Sequence, residues 1–376
     1  MFHALDVSQY DRVRPLCADL DAHLAPHAIV AGAALGRVYV DDPARPAAAL
    51  VCNAHRYYLC GSPDEEAFLD GLRRHLLEDI YPMAQAVGEP TSFALHYGAG
   101  WEEAVRRVMA GKDPLPARRR YLECDAPAHP GPVPLPEGYC LRAVDARLLA
   151  EERLANRDAL QEEMCSERDS VEEFLARSFG VSATCGEELA AWCLSEYNLA
   201  DRCEVGIETT RPHRRRGLAT ALATALVAEA AARGIRRVGW HAEVRNAPSI
   251  ATALRAGFAD GGEYPVYYAW FDEASNLGAH GNTSLWAGGY AEAAGWFDRA
   301  LRGDRPPYWV WWGAACAYAR VGREDEALAA LRHAVVGGHL GAQALRTSPH
   351  LAALQGTPGW RDLLAGLEPE APSAGA

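Results

Sequence analysis

The chain has 376 residues, 49% hydrophobic and 23% charged, which suits a globular protein of two or three domains and excludes a fibrous or disordered one. A net charge of −13 argues against nucleic acid as the main partner and for a cationic small molecule, amine or peptide. No apolar run is long enough to span a bilayer, the start lacks a secretory leader, and the ten cysteines include no Cys-x-x-Cys pair. The expectation is therefore a cytoplasmic protein with reduced thiols, no membrane contact and no metal.

In chain order, residues 28–40, 47–60 and 91–97 read as strands and 64–86 and 100–110 as helices, making 1–126 an α/β half. The Pro-rich stretch 127–136 is an extended linker. Beyond it, 139–144 reads as a strand, 146–177 as mostly helical and 189–197 as a strand. The helical stretch carries Glu151, Glu152, Asp158, Glu162, Glu163, Glu167, Asp169, Glu172 and Glu173 against few arginines, either a solvated face or a guide for cationic molecules.

Residues 203–210 alternate, with Val205, Ile207 and Thr209 on one side and Glu204, Gly206 and Glu208 on the other, as a two-faced strand does. Arg211 to Gly217 then brings one proline, four arginines and a glycine to the start of an Ala- and Leu-rich helix over 218–233. A helix N-terminus with free N–H groups and the positive end of the dipole favours a phosphate. Residues 236–243 read as the next strand and 246–254 as a short helix opened by Pro248 and Ser249, stopping at Gly257-Phe258.

Arg214-Arg215-Arg216-Gly217-Leu218-Ala219 between a strand and a helix, with Asn246-Ala247-Pro248-Ser249 and Gly257-Phe258 following, resembles the GNAT superfamily of acyl-CoA-dependent N-acetyltransferases. Outer segments such as Gly36–Asp41, Tyr57–Gly61 and Glu263–Tyr268 resemble a bacterial subfamily with an extra N-terminal half. The resemblance implies an α/β GNAT fold with a mixed sheet over 137–274, preceded by an α/β half that has the option of being a degenerate copy lacking the phosphate loop. It also implies acetyl-CoA as co-substrate, lying along Ile207, Glu208 and Thr209. The pyrophosphate would sit on Arg214, Arg215, Arg216, Gly217, Leu218, Ala219 and Thr220, and the pantetheine at Asn246 and Ser249.

Acetyl transfer to an amine requires a deprotonated amine, a held oxyanion and a protonated thiolate. Candidate bases are His241, five residues before Asn246, and Glu204 or Glu208, acting directly or through water. Many relatives carry a tyrosine seven residues after the asparagine, where this chain has Ala253. Tyr264, Tyr267, Tyr268 and Ser249 are the substitutes, Tyr267 being the tyrosine taken into the candidate catalytic set.

Past Asn276 the character changes. Ala293, Phe297 and Ala300 are echoed 34 residues later by Ala327, Leu331 and Ala334, the period of tetratricopeptide arrays. Residues 277–368 are thus expected to form an all-α repeat appendage, serving a homodimer or a protein partner, with a disordered tail over 369–376. The expected activity is acetylation of a small primary amine, a metabolite or an amino-bearing antibiotic. The rivals are an acyl-CoA sensor and a protein N-acetyltransferase that recruits its substrate through the repeats.

Overall fold

The computed structural model describes residues 1–367 apart from 54, 89, 90, 304 and 337, so the expected tail lies outside the described residues. Met1–Arg74, Ala94–Val108 and Pro116–Tyr267 form one compact unit, and His75–Phe93, Met109–Leu115 and the chain from Tyr268 form another.

The chain begins with β1 (His3–Ala4), a 3-10 helix (Val7–Leu20) and α1 (Leu24–Val30). Strands β2 (Arg37–Val40), β3 (Ala48–Cys52) and β4 (Arg56–Gly61) follow. Next come α2 (Glu66–Arg74), a π-helical turn (His75–Ile80), α3 (Tyr81–Val87), β5 (Ser92–Tyr97), α4 (Glu102–Val108) and β6 (Leu115–Asp125). After the Pro-rich stretch stand β7 (Cys140–Ala143), α5 (Ala146–Leu149), α6 (Arg157–Met164), α7 (Val171–Arg177), β8 (Gly180–Cys185), β9 (Glu188–Leu199) and β10 (Arg202–Thr209). Helix α8 (Leu218–Ala232), β11 (Arg237–Glu243), α9 (Ala247–Arg255) and β12 (Ala259–Trp270) complete the α/β part.

Among the described residues the twelve strands form one mixed sheet in the order β1-β2-β3-β4-β5-β12-β6-β11-β10-β9-β8-β7. Four antiparallel strands, β1 to β4, are followed by β5 parallel to β4; likewise β7 to β10 are antiparallel and β11 is parallel to β10. The two halves therefore share one strand pattern. They also exchange strands, because β6 pairs with β11 of the second half while β12 lies between β5 and β6. Residues 1–126 are thus not a free-standing half: their last strand belongs to the signature-bearing part of the sheet.

Strand β9 reads as a continuous apolar run because both of its faces are covered. Ala191 and Cys193 enter the core beneath α8 and α9, while Trp192 and Leu194 enter the one beneath α5 to α7. Three expectations need correction. Residues 28–40 are not one strand: α1 covers Leu24–Val30, with Pro26 tolerated in its first turn, and the strand begins at Arg37. Residues 47–60 are two strands, β3 and β4. β6 and β8 were not foreseen, the first because Arg118, Arg119 and Arg120 interrupt its apolar alternation, the second because Gly180–Cys185 is built of small residues.

In the other unit, α10 (Glu273–Trp286) is capped by Asp272, whose carboxylate accepts from Ser275 N at 2.7 Å, so the boundary expected at 274–277 falls inside its first turn. Helices α11 (Tyr290–Ala300), α12 (Tyr308–Arg320) and α13 (Glu324–Ala334) follow, α11 and α13 beginning and ending 34 residues apart. Ala293, Phe297 and Ala300 and their echoes Ala327, Leu331 and Ala334 are all buried. Two short helices, α14 (Ala342–Thr347) and α15 (Pro358–Ala365), end the described chain.

Asn276 ties this unit together: its Nδ2 donates to Lys112 O (3.0 Å) and Asp113 O (2.7 Å), and its Oδ1 accepts from Trp270 N at 3.1 Å. Asn276→Ala would remove these three bonds, leaving Asp113 O only its contact with His280 Nε2 (2.9 Å), an expected loss of about 2–3 kcal/mol read as a fall in the urea midpoint of this unit.

Candidate active site

The parallel pairing of β10 with β11 covers only Arg202 to Glu204 against Arg237 to Gly239. Beyond that, β10 continues against β9 alone, from Val205 to Thr209, and β11 against β6 alone, from Trp240 to Glu243. The two strands thus open a fork with its vertex at Glu204, and the facing backbone N–H and C=O groups of both prongs lack a ladder partner. A linear ligand with amide groups is what such an edge can hold.

The β10 prong leads to the arginine loop. His213 is buried there between Tyr139 OH, 2.8 Å from its Nδ1, and Glu188, 3.3 Å from its Nε2, which pins the loop to β9. Arg214 is held by Thr209 O (2.9 Å) and Glu208 (3.1 Å). Arg215 (φ 62°) and Gly217 (φ 82°) both take the left-handed conformation, and Gly217 is the N-cap of α8, which no side chain caps. A methyl group built on Gly217 would meet nothing within 4 Å. The start of α8 is thus open at Gly217 and flanked by the exposed Arg215 and Arg216, and its first-turn N–H groups have no side-chain cap. A pyrophosphate fits these groups: dipole, donors, positive charge and room coincide.

At the vertex, Glu204 is only 4% exposed. It accepts from the Leu24 N–H and from His241 Nε2 (3.2 Å), while Tyr264 OH lies 2.8 Å from His241 Nδ1, within hydrogen-bond distance. The three side chains form a chain from hydroxyl to imidazole to carboxylate. His23 stacks on His241 (5.2 Å between ring centres), and His96 and Tyr58 continue the column. Burial and the neighbouring His241 hold the His23 imidazole well below its usual range, and burial does the same to His96. Both are thus neutral at physiological pH, which spares the site two uncompensated buried charges.

Burial alone would raise the Glu204 carboxyl, but His241 and the Leu24 N–H outweigh it and pull it down to about 2. A depressed carboxyl adds stability above its unfolded value, lost as pH falls through the folded one. Glu204 is therefore expected to contribute about 3 kcal/mol above pH ~5, vanishing toward pH ~2. Denaturant melts of the wild type and Glu204→Gln across this range should show a difference that shrinks as pH falls.

On the same side of the fork, Glu163 of α6, Glu167 and Glu196 of β9 border a narrow crevice of about 10 Å³, room for one water, whose apolar wall includes Met164, Phe174 and Leu194. Arg56 reaches it from β4, with NH2 2.6 Å from Glu167 and 3.5 Å from Glu196. Asn53 donates to Glu167 (3.2 Å) and to Tyr197 OH (3.0 Å). The N-terminal half thus helps build the site.

The corresponding parallel pair of that half, β4 with β5, opens no such fork, because β5 ends at Tyr97, its last residue paired with Leu59. The indole N–H of Trp101, a fully buried residue, donates to Gly61 O at 3.0 Å beyond the last parallel pair, and Pro63 and Asp64 stand where the second half has its Arg-Gly loop.

The structure brings together some of the residues singled out from sequence and separates others. His241 and Glu204 meet at the vertex, and Ile207, Glu208 and Thr209 line the prong that leads to the loop. Glu208 is exposed and paired with Arg214, away from the vertex. Asn246 caps α9, its Oδ1 accepting from Ser249 N at 3.2 Å, and Ser249 Oγ accepts from Trp240 Nε1 at 3.1 Å. Tyr267 stands apart from the vertex and stacks on Tyr97 (5.9 Å), while Tyr264 is the tyrosine that reaches His241. His23, Tyr58, His96 and Arg56 were missed, since their part depends on pairing between the halves. Among the described residues no group of three or more His, Cys, Asp or Glu is placed to hold a metal, and no helix is long and apolar enough to cross a membrane.

Over 237 residues the chain is 26% identical to the uncharacterized N-acetyltransferase YdfB of Bacillus subtilis (strain 168), covering 62% of this chain and 85% of that protein. In fold it is similar to a GCN5-related N-acetyltransferase-like protein from Streptococcus suis 89/1591, with a TM-score of 0.52 and 21% identity over 70% of this chain and 98% of that one. A GCN5-related N-acetyltransferase from Sphaerobacter thermophilus gives a TM-score of 0.50 and 18% identity over 72% and 95%. Residues 14–267 match the family model described as GNAT acetyltransferase, and this chain belongs to that family, whose activity is acetyl transfer from acetyl-CoA.

Proposed function

We propose that the protein acetylates a primary amine of a small molecule, with acetyl-CoA lying in the β10/β11 fork. The observation that carries this reading is the fork opening toward an uncapped, arginine-flanked helix N-terminus. The pyrophosphate would rest on Arg214 to Thr220 and the pantetheine along Ile207, Glu208 and Thr209, with the Asn246 amide beside it. Bound there, acetyl-CoA supplies an activated acyl group.

The chain's own residues manage the protons. Glu204 fixes the His241 ring with its Nε2–H inward, so Nδ1 is the nitrogen that meets the Tyr264 hydroxyl. With a proton on Nδ1 as well, the ring donates to the Tyr264 oxygen, which leaves the hydroxyl proton free for the departing sulfur, and the same Nδ1–H steadies the phenolate that remains. Glu204, ionised and doubly bonded, is a positioning residue and a poor base.

The acceptor side is lined by Glu163, Glu167 and Glu196, which suits a cationic amine. We further read α10 to α13, with their 34-residue recurrence, as a tetratricopeptide-like module for assembly or partner binding. A panel of primary amines, from aliphatic diamines to amino sugars, assayed for thiol release from acetyl-CoA tests the activity. Turnover with cationic small amines is expected; binding of acetyl-CoA with no turnover on any amine would make the protein a sensor instead.

A further inference from the structure

On β9, Tyr197 pairs with Glu204 and Ser195 with Val205, so Glu196 between them is the extra residue of a β-bulge and has no partner on β10. The bulge re-aims its side chain over Gly206, in the prong of the fork. A methyl group built on Gly206 would collide with the Glu196 carboxylate and lie 3.4 Å from Glu163 Oε1. The absence of a side chain at 206 is what lets this carboxylate sit directly over the strand expected to carry the acyl group.

Four ionisable groups on other elements or segments face Glu196: Arg56 of β4, Glu163 of α6, Glu167 from the segment after α6, and Glu204 of β10. Arg56 is committed mainly to Glu167, its closer partner, and Tyr197 OH also donates to Glu167. The Glu167 side chain is only 2% exposed and sealed by these contacts, whereas that of Glu196 keeps 18%. Glu196 therefore has the weaker partner and the open edge.

We propose that Glu196 is the base that takes the proton from the acceptor amine, a reading that rests on the transfer activity proposed above. The nitrogen lone pair forms the N–C bond to the acetyl carbon and its proton passes to a Glu196 carboxylate oxygen. The C–S electrons leave on the sulfur, which takes a proton from Tyr264. The fork then has its base on the β9 side and its acid on the β11 side, with Arg56 and Glu167 as positioning residues. Burial pushes the Glu196 carboxyl up, Arg56 opposes this, and Glu167, Glu204 and Glu163 add to it, leaving it at about 7, where a base works best near neutral pH.

A carboxyl raised in the folded state favours folding fully below its unfolded value, and that contribution is lost as pH rises through the folded one. Glu196→Gln should therefore melt at a higher temperature than the wild type at pH ~8, an advantage that shrinks as pH falls and is gone by pH ~4. This readout is independent of any amine.

The test compares full-length wild type, Glu196→Gln and Glu163→Gln by acetyl-CoA calorimetry, melting, and thiol release with the amine panel across pH. Glu196→Gln is expected to bind acetyl-CoA as the wild type does, to lose about 10²- to 10⁴-fold in kcat, and to lose the acidic limb near pH ~7. Glu163→Gln should keep that limb. An active wild type alongside a Glu196→Gln variant with near-normal kcat and an unchanged limb, or with no gain in melting temperature at pH ~8, overturns the assignment alone. A wild type that binds acetyl-CoA but acetylates no amine overturns the transfer reading and the base with it.

Discussion

Replacing Gly217 by glutamate is expected to weaken acetyl-CoA binding by about 100-fold or more. Two effects add. Any side chain at φ 82° costs about 1–2 kcal/mol for the left-handed conformation. A carboxylate at the N-terminus of α8 also takes the place that the dipole and donors offer a phosphate, worth about 1–2 kcal/mol more. The position is open, with nothing within 4 Å of the added carbon, so the fold should survive. Calorimetry on the wild type, Gly217→Ala and Gly217→Glu separates the terms: alanine carries only the backbone cost and should fall between the other two. Equal affinities would mean that the phosphates do not use this helix end.

His241→Ala is expected to lower kcat by about 10²- to 10⁴-fold while leaving the Kd for acetyl-CoA within about twofold, because the imidazole serves the proton and not the carrier. Tyr264→Phe should reproduce most of that loss, since it removes only the hydroxyl bonded to Nδ1 and keeps the ring against His23. Steady-state kinetics on both variants decide the matter. Normal turnover in both would reduce the Tyr264–His241–Glu204 chain to a structural element. A loss in His241→Ala alone would give the proton to His241 itself.

What sequence made legible was local. The arginine loop and Gly217 lie between one strand and one helix, so their role follows from one short run of consecutive residues, and the structure places them at the end of the fork as that order requires. Glu204 and His241 were singled out too, although not as partners, because their meeting depends on a parallel pairing that stops after Gly239. Strand parity separates Tyr264 from Tyr267 on β12, but nothing local says which face of that strand meets His241. The Glu196 bulge is a mismatch between two strands, invisible in either alone. His23, Tyr58, His96 and Arg56 lie far from Glu204 and Glu196 along the chain and come beside them only through the assembled sheet; nothing in their sequence neighbours says which residues they meet.

The most direct test of acetyl-CoA binding in the fork is a crystal structure of the protein with CoA. The pyrophosphate is expected on the N–H groups of Gly217 to Thr220 and the pantetheine along the Val205 to Thr209 prong, its sulfur near Gly206 between Glu196 and Tyr264. CoA bound elsewhere, or a fork bridged by backbone hydrogen bonds with no room for the pantetheine, would contradict that placement.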